Sequence, residues 1–242
     1  MGRVQGALSL LVGSVVACAL VGCGGGDGAS GSTFGPDPDF ATLDARLSTP
    51  TGTLAAGTVE AAVSALDAVQ SPSLSIDALV QVTPSNTSCQ ALGHRDASGT
   101  CACPNGGTFA YDFSELADGA PATGAVTLRL KLDRCAVGDR VLDGAEFAHR
   151  EGGVTTARAA QLTVTRGPAT VDVDVWSAGA GLWARATGSD GAIIVGAPQE
   201  NPRDGASRSV VVKDRSTTWT CTVTDAEERC SNPQGGERDG KA

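Results

Sequence analysis

Val126-Thr127-Leu128-Arg129-Leu130-Lys131-Leu132-Asp133 decides the fold class. Every even position is Val or Leu, and every odd one is Thr, Arg, Lys or Asp. Successive side chains of a strand point to opposite faces, so this spacing predicts a strand with one buried and one wetted face. Arg129 and Lys131 fix which face is wet, because an unpaired charge in the core costs several kcal/mol.

The same period of two extends in both directions. Upstream, Phe109, Tyr111 and Phe113 alternate with Thr108, Ala110 and Asp112. Downstream, Val154, Ala160, Leu162 and Val164 share one parity, and Val171, Val173 and Val175 another. Trp219, Cys221 and Val223 alternate with Thr218, Thr220 and Thr222. Turn residues mark the joints at Gly138-Asp139, Arg166-Gly167-Pro168, Ser189-Asp190-Gly191 and Asp214-Arg215. The expected fold is mainly β: an antiparallel meander or sandwich-like sheet, disulfide-stabilised and wetted on one side, with one short N-terminal helix. That helix is expected over residues 58–70. Val59, Val63, Leu66 and Val69 share a face, Thr58 is placed to cap the start, and Ser71-Pro72 ends it. Residues 74–82 fit either helix or strand. The expected organisation is a helical segment at 51–82 packing on the sheet, a β domain at 83–230, and a disordered tail at 231–242.

The core of such a domain is thin. After Gly22, Leu, Ile, Val and Phe supply 40 of 220 residues, and the whole chain has nine aromatic residues. That content lies just under the range in which chains fold without further support. Cysteine is the expected support. Setting aside Cys18 and Cys23, six remain: Cys89, Cys101, Cys103, Cys135, Cys221 and Cys230. In an exported chain these read as three disulfides. The favoured pairing is Cys103 with Cys135, Cys89 with Cys101, and Cys221 with Cys230, and Cys101 and Cys103 can exchange roles in it. Cys89, His94, Cys101 and Cys103 have residue types that suit zinc. The Cys101-Ala102-Cys103 spacing departs from the usual CxxC knuckle and export favours oxidation, so no metal is expected. An EGF-like module needs a Cys where Phe109 stands, which excludes it.

The N-terminus carries the most specific motif. Arg3 is followed by an apolar run to Val21 with no acidic group, and no stop-transfer segment comes after it. Leu20-Val21-Gly22-Cys23 then resembles the lipobox of bacterial lipoprotein precursors, in which the Cys becomes the lipid-bearing first residue. The resemblance implies a signal peptide at 1–22, acylation (palmitate among the chains) at Cys23, and attachment to the cell envelope. Gly24 in place of Asp after the Cys implies the outer membrane. Val15-Val16-Ala17-Cys18 fits the pattern more loosely. Cleavage there leaves Ala19-Leu20-Val21 ahead of the linker, whereas cleavage at Cys23 exposes Gly24-Gly25-Gly26-Asp27-Gly28 directly. Residues 23–50, rich in Gly, Ser, Pro and Asp, are expected to be a flexible tether.

Chemistry is sparse. Removal of Arg3 with the leader leaves 17 basic against 27 acidic residues, which excludes a generic nucleic-acid binder. The GxGxxG letters at 26–31 lack a preceding strand and a following helix. His94 and His149 are the only histidines, and no GxSxG elbow accompanies them. Asp172, Asp174 and Trp176 share one strand face, which suits a glycan-type ligand, sugar hydrolysis or calcium. Trp183 and Arg185 extend that possible ligand face. Asn86-Thr87-Ser88 is a glycosylation sequon without consequence in a bacterial lipoprotein. Arg129, Lys131 and Arg134 read as solubilising the outer sheet face. The expectation is a lipid-anchored envelope protein with a non-catalytic structural or interaction role and no cofactor. Its partners are the membrane, through the anchor, and an envelope protein or glycan. A glycan-type binding module is the alternative, and a hydrolase the remoter one.

Overall fold

The computed structural model describes residues 33–71, 74–76, 79, 98–103, 105–117, 124–178, 181–196, 207–224 and 227–241. The expected signal peptide at 1–22, with Cys18, and also Cys23, Asn86, Cys89 and His94 lie outside them. Twelve antiparallel strands form one sheet in which each pairs with its neighbour in sequence. They are β1 (Ser98–Ala102), β2 (Thr108–Asp112), β3 (Ala125–Val137), β4 (Arg140–Glu151), β5 (Val154–Arg166) and β6 (Ala169–Ala178), followed by β7 (Gly181–Gly188), β8 (Gly191–Gly196), β9 (Arg208–Lys213), β10 (Thr218–Val223), β11 (Glu227–Ser231) and β12 (Glu237–Lys241). Helices α1 (Leu43–Leu47) and α2 (Thr58–Gln70) precede the sheet, and α3 (Ser114–Ala117) links β2 to β3.

The parity read from residues 126–133 holds. Leu128 and Leu130 are fully buried, Val126 and Leu132 nearly so, while Thr127, Arg129 and Lys131 are half-buried and Asp133 is exposed. Register carries this inner face across the sheet: Leu132 lies opposite Gly144, Gly144 opposite Leu162, Leu162 opposite Val173, and Val173 opposite Ala186. Two-residue turns at Gly138-Asp139 and Gly167-Pro168 join the long strands, with φ of 63° at Gly138 and 55° at Gly167. These positive values suit the twist of a hairpin.

One irregularity rescues a disulfide. Strict alternation after Leu132 turns Cys135 outward. The β3–β4 register shifts between Leu132 and Cys135, where Arg134 takes φ 50° and its amide donates to Asp143 Oδ1 at 2.7 Å. The added residue returns Cys135 to the inner face, fully buried and bonded to Cys103 with Cα atoms 5.5 Å apart. Cys221 and Cys230, opposite one another on β10 and β11, form a second disulfide. Cys101 is disulfide-bonded as well. Cys89, its expected partner, is outside the described residues.

Helix α2 fills the inner face against β5, β6, β7 and β8. Eleven of its 13 residues are buried, more than a single apolar stripe requires, because Ala61, Ala62, Ala65 and Ala68 let neighbours approach closely. Thr58 is not its cap. The helix starts after Gly57, at φ 78°, and the Thr58 hydroxyl instead donates to Ala55 O at 2.6 Å.

Two expectations are corrected. Residues 33–50 are not a free tether, since α1 seats Leu43 and Leu47 against the sheet. Residues 231–241, most of the expected disordered tail at 231–242, are not frayed either. Asn232 Oδ1 accepts from the amides of Gln234 and Gly236, and this turn folds β12 back onto β11.

Candidate functional site: the strapped outer face

Odd parity on β3 and the facing positions on β4 to β9 build the outer face. Gln161 lies opposite Asp174, and Asp174 opposite Arg185; Ala159 lies opposite Trp176, and Trp176 opposite Trp183. The structure therefore places Asp172, Asp174 and Trp176 on one face, with Trp183 and Arg185 beside them. It does not leave that face open. Residues 33–49 cross it as a strap, and Trp176 is buried to 1% exposure beneath them. Leu43 and Leu47 pack on Ala159, Trp176 and Ile194, with Phe40, Ala178 and Trp183 at the margin.

Side-chain latches hold the strap. Arg129 grips both carboxylate oxygens of Asp37, at 2.7 and 2.6 Å, and also bonds Glu115 on α3 at 2.9 Å. The Arg129 of the expected solubilising group is thus a clamp. The Trp176 indole donates to Asp44 Oδ1 at 3.3 Å, and Arg185 donates to the carbonyls of Thr49 and Leu47. The Phe40 ring lies 5.7 Å from the His149 ring, whose Nε2 is 3.4 Å from Glu151. Lys213 sits 5.0 Å over the Trp183 ring, a cation–π contact.

Beyond Thr49 the chain is pinned and passes to the inner face. The amides of Thr51 and Gly52 donate to Ala192 O, the Ala192 amide donates to Thr51 Oγ1, and Arg215 N donates to Gly52 O. Gly52 must be glycine here, since a Cβ would stand 2.4 Å from the Gly191 carbonyl carbon. Leu54, the next large side chain, is buried in the inner core.

The strap does not fill its seat. A cavity of about 210 Å³ remains among Pro38, Leu43, Arg46, Phe147, Gln161 and Asp174. Burial pushes the Asp174 carboxyl above its ordinary value, Arg46, Arg185 and a hydrogen bond with Gln161 oppose the rise, and Asp172 adds to it. Asp172 itself is exposed and accepts from the Thr163 hydroxyl at 2.9 Å. The volume lies below the roughly 300–1,000 Å³ of small-molecule sites.

The inner face holds buried charges that position α2. Glu60, in its first turn, receives Arg140 and Arg166, the latter at 2.6 Å, and Arg166 also bonds Asp139. Glu228 on β11 lies buried by the start of α2, where the amides of Gly57 and Glu60 favour its charged form. Burial pushes Glu228 up to about 7; those amides oppose the rise and the Glu60 charge adds to it. At the other helix end Arg158 donates to Val69 O, and Arg208 pairs with Asp67. Sequence reading missed this set, whose only local signal is Glu60 in a first turn. Asp214, also buried, shows the opposite balance. Burial alone raises it, but the Ser216 hydroxyl and amide, the Thr217 amide and the Trp219 indole hold it at about 2.

Cys103 is spent in its bond to Cys135 and Cys101 is also oxidised, which removes two thiols from the zinc set. In comparisons with known proteins, no family model, no curated protein and no solved structure matches this chain.

Proposed function

We propose that the chain is a lipid-anchored cell-envelope protein with a non-catalytic structural or interaction role, held in the outer membrane through Cys23. The observation that carries this reading is Leu20-Val21-Gly22-Cys23 at the end of an acid-free apolar run. Oxidised cysteines inside a thin core fit an oxidising compartment. The sheet supports a binding surface better than an active site: α2 occupies one face and the strap occupies the face where Asp172, Asp174 and Trp176 meet. Acyl chains contribute roughly 0.8 kcal/mol per buried methylene, so several chains on Cys23 hold the domain stably on a bilayer.

Metabolic labelling with a fatty acid tests the anchor. Cys23→Ser is expected to lose the label and leave the membrane fraction, while Cys18→Ser keeps both. Retention of label in Cys23→Ser contradicts the assignment. Pull-down from solubilised envelope with the mature chain as bait then identifies the partner.

A further inference from the structure

We propose that residues 33–49 form a strap that lifts from the outer face as a unit while the sheet and α2 stay folded, and that lifting resets how far the domain reaches from its anchor. The mechanical part stands on the contacts alone; the reach rests on the lipid-anchor reading above.

The attachment is of a kind that can open separately. Among the described residues, none of 33–50 joins the sheet ladder. The strap is held by Arg129 on Asp37, Trp176 on Asp44, and Arg185 on two carbonyls, together with Leu43 and Leu47. Asp37 is 41% exposed, so its ion pair is screened by salt. Helix α1, of five residues, is far below the length at which a helix persists by itself, so it melts once lifted. The cavity of about 210 Å³ beneath means that strap and sheet forgo contacts there. Opening has a defined stop. Thr51 and Gly52 are bonded to Ala192 and Arg215, and Gly52 lies against Gly191 with no room to slide.

The consequence is a change of reach. With the strap closed, ten residues separate the body from the lipid, Cys23 to Ser32, and they span at most about 35 Å. With it open, 27 residues, Cys23 to Thr49, span at most about 95 Å. A partner engaged beyond the closed distance draws the strap off. Screening of the Asp37 latch by salt favours the same change.

Native-state hydrogen exchange on the soluble mature chain beginning at Gly24 tests the strap without any lipid. The Arg46 and Ser48 amides, bonded within α1, are expected to exchange at least about 100-fold faster than the Ala61 amide of α2. Asp37→Asn is expected to speed the strap amides several-fold and leave α2 unchanged. Strap amides exchanging at the α2 rate, or a variant that speeds both equally, overturn the proposal. Neutron reflectometry on the lipidated full chain in phosphatidylcholine bilayers tests the reach. Asp37→Asn combined with Leu43→Ala and Leu47→Ala, which removes the ion pair and both apolar contacts, should move the mean protein density outward by about 10 Å, the difference between flexible chains of these two lengths, and an unchanged profile overturns the reach. A chain that fails to load contradicts the lipid anchor, while the exchange result still decides the strap.

Discussion

The two faces of one sheet are covered in different ways. On the inner face α2 is buried nearly all round, held at its start by Arg140 and Arg166 on Glu60 and at its end by Arg158 and Arg208. On the outer face a short strap lies on β5 to β8 through two leucines and a few polar latches, with a cavity left beneath it. Both covers come from consecutive stretches of one N-terminal segment, separated by the Gly52 crossing. Covering a face is therefore not equivalent to building a core. The inner cover is expected to set the global stability, and the outer one its own local opening.

The sharpest way to break this comparison lies on β3. Leu130→Ala removes a fully buried inner-face side chain and is expected to cost roughly 2–5 kcal/mol in a denaturant melt. Its outward neighbour gives the contrast at the bottom of the scale, below. Next come the two disulfides with both partners among the described residues, each on the inner face. The loop closed by Cys103–Cys135 spans 32 residues and that by Cys221–Cys230 spans nine. Loop-closure entropy then gives roughly 3.7 and 2.6 kcal/mol. Melts of the paired Cys→Ser variants should show the larger loss for the first pair.

The acids separate by pH. Glu228 is raised from 4.5 to about 7, so its contribution is fully present below pH 4.5 and is lost as pH rises through 7. Asp214 is lowered from 3.8 to about 2, so its contribution is present above pH 3.8 and is lost as pH falls through 2. Glu228→Gln should flatten the stability profile between pH 4.5 and 7 by about 1–3 kcal/mol and leave the acid limb intact. A profile unchanged by that substitution contradicts the raised carboxyl of Glu228. The smallest effect is Lys131→Ala, expected to change stability by less than about 0.5 kcal/mol.

Side-chain parity was legible in the sequence, and with it the β class, the joints and the inner-face residues apart from Val154, which a β4–β5 register shift leaves 65% exposed. A period of two reports faces, and β3 carries it for eight residues, Val126 to Asp133, without interruption. What lies on a face is a tertiary fact that parity cannot report. Asp172, Asp174 and Trp176 do share a face, yet Trp176 is buried because a segment read as linker returns to cover it. Gly, Pro and Asp gave residues 33–50 the composition of a tether, whereas Phe40, Leu43 and Leu47 were the spaced apolar contacts that seat it. The tail misled similarly: Glu237, Arg238 and Asp239 are exposed, yet an Asn-anchored turn pairs their backbone with β11. Glu228 meets the start of α2 from 168 positions away or more, and no local pattern marks that proximity.

Paired urea melts of Leu66→Ala on α2 and Leu47→Ala on the strap, in the soluble mature chain, test the central contrast most directly. Leu66 is fully buried in the inner core, and Leu47, on the strap itself, is 7% exposed. The account predicts a loss of roughly 2–5 kcal/mol for Leu66→Ala and less than about half of that for Leu47→Ala, because the strap can open before the body unfolds. Equal losses from the two substitutions would contradict it, since both covers would then belong to one cooperative core.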